Sequence, residues 1–200
     1  MRKIVFVIAI LISLESTSQI DFTGGAMIGI TATQMSGDGL AGWDKLGLAG
    51  GGWIHMDFNG NFGTWLGMHY TAKGSMKQAD PDNGDYNEFA FDLEYIDVPF
   101  LATYTTGKFR FGVGPAVGVL INQTIDYNGE KYEPTPAFKT LDISGNASIW
   151  WLATNHSSLE FRGSTSIIPI RPAPAVVNPA SFYEQGNYNQ GLLFAWHYRF

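Results

Sequence analysis

Gly191-Leu192-Leu193-Phe194-Ala195-Trp196-His197-Tyr198-Arg199-Phe200, the last stretch of the chain, sets large apolar side chains at 192, 194, 196, 198 and 200. Between them lies a mixed set that ends in His197 and Arg199. Successive side chains of a strand point to opposite faces, so the stretch carries one continuous apolar stripe and one wetter face. Its length, about ten residues, is what a tilted strand needs to cross the hydrocarbon core of a bilayer.

The same period-two alternation recurs upstream. Candidate strands fall at 21–34, 45–58, 62–75, 89–105, 108–122, 138–153, 158–168 and 188–200. The connections between them alternate long and short. The short ones, Asn59-Gly60-Asn61, Thr106-Gly107 and Thr154-Asn155-His156-Ser157, carry turn chemistry, and the long ones lie near 35–44, 76–88, 123–137 and 169–187. In the second strand Leu46, Leu48, Ile54, Met56 and Phe58 oppose Trp53, His55 and Asp57. In the fifth, Phe109, Phe111, Val113, Val117, Val119 and Ile121 oppose Arg110, Gly112, Gly114, Ala116 and Gly118. In the sixth, Leu141, Ile143, Ala147, Ile149 and Trp151 oppose Asp142, Ser144, Asn146, Ser148 and Trp150. A soluble barrel keeps its bulky apolar residues inside, yet here the second face is too small and too polar for a dry core. The apolar face therefore looks at lipid, and the pattern predicts an all-β fold, an eight-stranded antiparallel up-and-down transmembrane β-barrel with both mature termini in the periplasm.

The terminal aromatics add a second signal. A last strand with Trp196, Tyr198 and Phe200 outward, ending on the aromatic itself, resembles the C-terminal signal that the barrel-assembly machinery reads on outer-membrane barrels. At the other end, Met1-Arg2-Lys3 precedes an apolar run from Ile4 to Leu14 and the small residues Ser16 and Ser18. This reads as a signal peptide over 1–18, too short to span a membrane, leaving a barrel domain over 19–200. The chain has 0 Cys, so neither a lipid anchor on cysteine nor a disulfide framework is available. Aromatics make up 14% and charged residues only 15%, with 24 Gly and a formal charge of −6. The mean hydropathy is −0.03, as alternation dilutes the apolar residues, and no long apolar run follows residue 14. The acidic balance excludes nucleic acid as a partner class.

Tyr95-Ile96-Asp97-Val98-Pro99-Phe100, continuing Leu101-Ala102-Thr103-Tyr104, resembles the "YIEIPL" strand of the PorT-like outer-membrane β-barrel family common in Bacteroidota. Thr71-Ala72-Lys73-Gly74 is similar to that family's "YS.KG" element. Phe111-Gly112-Val113-Gly114-Pro115-Ala116-Val117-Gly118 is similar to its "GGP..G" strand, with Val113 intervening between two glycines. The resemblance implies the barrel fold. It carries no functional residue, because most members of that family have no assigned activity.

The inward parity carries charge of both signs. Asp57, Asp97, Asp142 and Glu160 are expected to face Arg110, Arg162 and Arg199 in a lumen only wide enough for side chains to fill, so that opposite charges neutralise one another. His55, His69, Lys73 and His197 share that face. Three sharper motifs are weighed against bland readings. His156-Ser157-Ser158 with Glu160 holds the residue types of a hydrolase triad, but the topology sets His156 in a short turn and Glu160 in the lumen. Asp80-Pro81-Asp82-Asn83-Gly84-Asp85 with Glu88 has oxygen donors at spacings a Ca²⁺ loop uses, yet lacks the full pattern and reads as a solvated acidic loop. Gly51-Gly52-Trp53 and Gly63-Thr64-Trp65 echo a lipocalin signature but sit inside the chain, as packing and girdle residues.

The expected function is accordingly that of a non-enzymatic integral outer-membrane barrel without cofactor or metal. Its partners are outer-membrane lipid and lipopolysaccharide, the barrel-assembly machinery, and an envelope protein engaged through the loops. A narrow channel, a lipid-modifying barrel enzyme and a soluble lipocalin-like binder are the alternatives, distinguished by conductance, by an assembled triad and by face polarity.

Overall fold

The computed structural model describes residues 21–40, 42–172 and 186–200; the expected signal peptide and most of the expected loop at 169–187 lie outside these. Among the described residues the strands are β1 (Asp21–Ser36), β2 (Lys45–Asn59), β3 (Phe62–Lys77), β4 (Phe89–Thr106) and β5 (Phe109–Tyr127), then β6 (Glu130–Tyr132), β7 (Leu141–Leu152), β8 (Ser157–Ser166), β9 (Arg171–Pro172) and β10 (Gly186–Arg199). Eight of them form the wall in the order β1-β2-β3-β4-β5-β7-β8-β10. Antiparallel pairing of β1 with β10, from Gly25↔Arg199 to Ser36↔Tyr188, closes the ring. Closure leaves no long strand edge unpaired, which a spanning sheet requires in a solvent that offers no hydrogen bonds. No helix of the described residues is long and apolar enough to cross a membrane.

The short strands β6 and β9 lie outside the ring. Sequence patterning leaves 123–137 as a loop, but β5 runs on to Tyr127 and folds back through Asn128-Gly129 into β6. Asn128 and Gly129 both have positive φ (52° and 86°), the backbone of a two-residue hairpin turn, and Asn-Gly is its preferred pair. Two ladder positions account for a proline and a glycine in the middle of the wall. Pro99 has no N–H to donate, and β3 and β4 have no partnered residues between Leu66↔Phe100 and His69↔Asp97. Gly74, at the end of the Thr71–Gly74 element, has φ 137°, and a Cβ there would stand 1.9 Å from the Phe91 carbonyl oxygen.

The faces divide as alternation requires. Outward lie Ile28, Ile30, Leu46, Leu48, Val113, Val117, Phe161 and Phe194, all exposed on the ring's outer surface. On β4 the apolar band runs from Tyr104 through Phe100 and Val98 to Ile96, beyond which the outward positions become Glu94 and Asp92. The eight residue-to-residue steps of this band, in a strand tilted by about 40°, rise roughly 20 Å, which matches a hydrocarbon layer. Tyr104, Phe109, Trp151, Tyr198 and Phe200 are exposed next to the short turns and the chain end, and form an aromatic girdle there. Phe62 and Tyr104 pack at 5.1 Å, and Tyr198 lies 6.0 Å from Trp196 and 6.1 Å from Phe200.

Candidate functional site

The lumen is filled in layers, and each layer comes from inward positions of several strands. Nearest the short turns, His55 Nδ1 lies 3.1 Å from Asp57 Oδ2 and His55 Nε2 lies 2.9 Å from the Thr103 hydroxyl. Above it comes an aromatic layer of Trp53, Trp65 and Trp150 with Met27, Leu101 and Ala195. The two Gly-x-Trp elements thus put their indoles inside the lumen as packing, and Trp53 donates its ring N–H to the Ala26 carbonyl (3.2 Å). Glycines make room for these rings: a Cβ on Gly25 would meet the Trp53 ring at 2.6 Å.

Within this aromatic layer sits the first ion cluster. Glu160, 0% exposed, accepts from Arg162 Nε (2.8 Å) and lies 2.8 Å from His197 Nε2. Arg162 also donates to Ser148 Oγ (3.1 Å) and stacks 4.7 Å above the Trp65 ring. The Glu160 carboxylate is thereby held on both oxygens, Oε1 by Arg162 and Oε2 by His197, which is the condition under which burying it is tolerable.

A second cluster lies farther from the short turns. Lys73 Nζ donates to Asp97 Oδ1 (3.0 Å) and to Asp142 Oδ2 (3.2 Å), and sits 4.6 Å over the Tyr95 ring. Asp142 further accepts from Ser166 Oγ (2.7 Å) and Asn189 Nδ2 (3.0 Å). One ammonium from β3 therefore ties carboxylates on β4 and β7 across the ring. Between the two clusters is a cavity of about 30 Å³ bordered by Thr31, His69, Thr71, Lys73, Asp97 and Arg162. That is room for one or two water molecules, and His69 Nδ1 and Thr71 Oγ1, which have no protein partner, are groups such a water satisfies. Toward the long loops the lumen is closed by an apolar cap of Met35, Phe91, Leu93, Tyr95, Phe138 and Ile170.

Of the charges expected to line the lumen, Asp97, Asp142, Glu160 and Arg162 are buried in these two clusters. Asp57 is a third exposed on its side chain and engages His55 rather than an arginine. Arg110 bonds the Thr105 hydroxyl through Nε (3.0 Å), and Arg199 is exposed at the rim; neither makes an ion pair among the described residues. Both lie at strand ends within reach of water, so nothing compels them to find a carboxylate. Lys73, His55 and His197 are buried among these pairs. Lys73 was visible as an inward lysine; that it reaches Asp142 depends on the curvature of a closed ring.

The sharper motifs do not assemble. His156 is exposed in the turn with its Nδ1 on the Arg199 carbonyl (3.1 Å), while Glu160 is held by Arg162 and His197. In the 78–88 loop Asn83 donates to Asp80 (2.7 Å) and Lys77 pairs with Asp85. The Lys77 ammonium and the Asn87 N–H hold the Asp85 carboxyl below the usual carboxylate range. Among the described residues no group of three His, Cys, Asp or Glu could hold a metal ion.

The closed ring is shared with solved outer-membrane proteins at low identity. Ail, the attachment invasion locus protein of Yersinia pestis, is similar with a TM-score of 0.53 and 10% identity over 90% of this chain and 99% of that one. Neisserial surface protein A is similar with a TM-score of 0.53 and 13% identity over 91% of this chain and 99% of that one. At such identity the likeness is one of fold. No curated protein sequence matches the chain. The family model described as outer membrane protein beta-barrel domain matches residues 13–171, most of the barrel, and the chain belongs to that family of integral outer-membrane β-barrels.

Proposed function

We propose that this protein is a non-enzymatic outer-membrane barrel with a sealed lumen, which acts through its long loops as a structural or interaction component of the envelope. The observation that carries this reading is the lumen itself: two buried ion clusters, a tryptophan layer and an apolar cap occupy the space a pore would need. The hydrolase-type residues stand apart, which supports a role without chemistry. The Tyr95–Phe100 and Thr71–Gly74 elements support a PorT-like membership. Outer-membrane lipid and lipopolysaccharide contact the apolar belt in this reading, and the short turns and both mature termini are periplasmic, as in barrels with long outer loops. An envelope protein is the partner of the loops.

Two outcomes test it. Proteinase K added to intact cells should cut within 78–88, where Tyr86 and its neighbours are exposed, and spare Asn59–Asn61. Cleavage at the short turns alone would invert the orientation. Deleting Phe200 should reduce the heat-modifiable species in the outer-membrane fraction, because Trp196, Tyr198 and Phe200 form the exposed end that the assembly machinery reads in this proposal. Undiminished assembly without Phe200 would remove that role.

A further inference from the structure

At the short-turn end the lumen opens into a depression of about 340 Å³. Lys108, Arg110, His156 and Arg199 all line it, and its lining contains no carboxylate. Arg110 and Arg199 are on inward parity with His55 and His197, so their charges face the mouth and not the lipid belt. Arg110 uses Nε on Thr105, and its remaining donors, like the side chains of Lys108 and Arg199, have no protein partner among the described residues. Asp21 and Asp57, acidic side chains of this end, are cross-strand neighbours outside that lining; Asp57 engages His55 and attracts the Arg110 guanidinium without forming an ion pair with it among the described residues. Hydroxyls of Thr23, Thr154, Ser157 and Ser158 border the same space. The Thr154 hydroxyl already accepts from the His156 and Ser157 N–H groups, which leaves its own proton to give.

From this convergence of unpaired cations and hydroxyl donors in one concave mouth we infer that the short-turn end binds a phosphate-type oxyanion. Two guanidinium forks offer paired N–H groups at the fixed spacing that matches adjacent oxygens of such a group. An ammonium and hydroxyls supply further donors, and a concave site set in a low-dielectric wall strengthens each of them relative to open water. The charge also differs from the rest of the molecule. The chain carries a formal net charge of −6, yet this mouth is cationic, so the site selects for an anion on its own side of the membrane. The phosphate belongs either to a soluble phosphorylated molecule or to a lipid headgroup that reaches over the rim.

Calorimetric titration of the full chain in neutral maltoside micelles distinguishes these sources, with inorganic pyrophosphate as one probe and dihexanoyl phosphatidic acid as the other. Saturable pyrophosphate binding is expected, weakened roughly tenfold or more in Lys108→Gln/Arg199→Gln, since each charge-assisted hydrogen bond contributes about a decade of affinity. Neither side chain makes a bond within the protein, and heat-modifiable migration confirms that the variant folds. Raising salt should weaken binding to the wild type and have little effect on the variant. Binding of phosphatidic acid alone, lost in the same variant, assigns the site to lipid headgroups. Absence of binding for both probes, or equal binding by wild type and variant, overturns the inference.

Discussion

Lys73→Met is expected to destabilise the folded barrel by about 3–5 kcal/mol, because it leaves Asp97 and Asp142 buried without their shared cation. Both carboxylates are nearly inaccessible, so neither recovers hydration when the ammonium goes. Asp142 retains Ser166 and Asn189 as donors, whereas Asp97 loses its one side-chain hydrogen-bond partner among the described residues, so Asp97 carries more of the cost. Adding Asp97→Asn to Lys73→Met should therefore restore part of the loss, and the cycle isolates the coupling between the two. Urea unfolding in lipid vesicles, followed by tryptophan fluorescence, measures it. Additive effects of the two substitutions would mean that the pair is not coupled. By contrast, Arg110→Met should cost under about 1 kcal/mol, as its partner is a neutral hydroxyl near the mouth.

Phe100→Arg should cost about 2–4 kcal/mol for folding into vesicles. Phe100 is 49% exposed on the outer face and pairs with Leu66, four residues above Tyr104 of the girdle. With the apolar band of β4 running from Tyr104 to Ile96, this position is close to its middle, where a guanidinium is farthest from either interface. The same substitution at Phe109, in the girdle, should cost about 0–1 kcal/mol since the side chain reaches the interface. Equal costs at the two positions would show that the belt is misplaced.

These two substitutions mark where the sequence is legible and where it is not. The belt is written in local alternation: Phe109, Phe111 and Val113 against Arg110, Gly112 and Gly114 show which side faces lipid without any long-range information. Strand number and most strand bounds follow from the same period. The ion pairs are a different matter. Parity places a charge inside but says nothing of height or of which strand stands opposite, and Lys73 meets Asp142 only because three ladders curve between them. The expected arginine pairs required Arg110 and Arg199 to lie deep, yet they sit at strand ends where water competes with any carboxylate. The β5–β6 hairpin was readable from Asn128-Gly129, but without alternation on its short arm the segment passes for a loop.

The sealed lumen is the claim on which the rest depends, and conductance tests it most directly. Purified wild-type protein, folded and inserted into a planar bilayer, should leave the current at the protein-free baseline across applied voltage. In the proposed reading the ion clusters and the Met35, Leu93, Tyr95 and Ile170 cap fill the lumen in place of an aqueous path. Steady, reproducible single-channel steps from the folded protein would contradict the account and make a narrow channel its function.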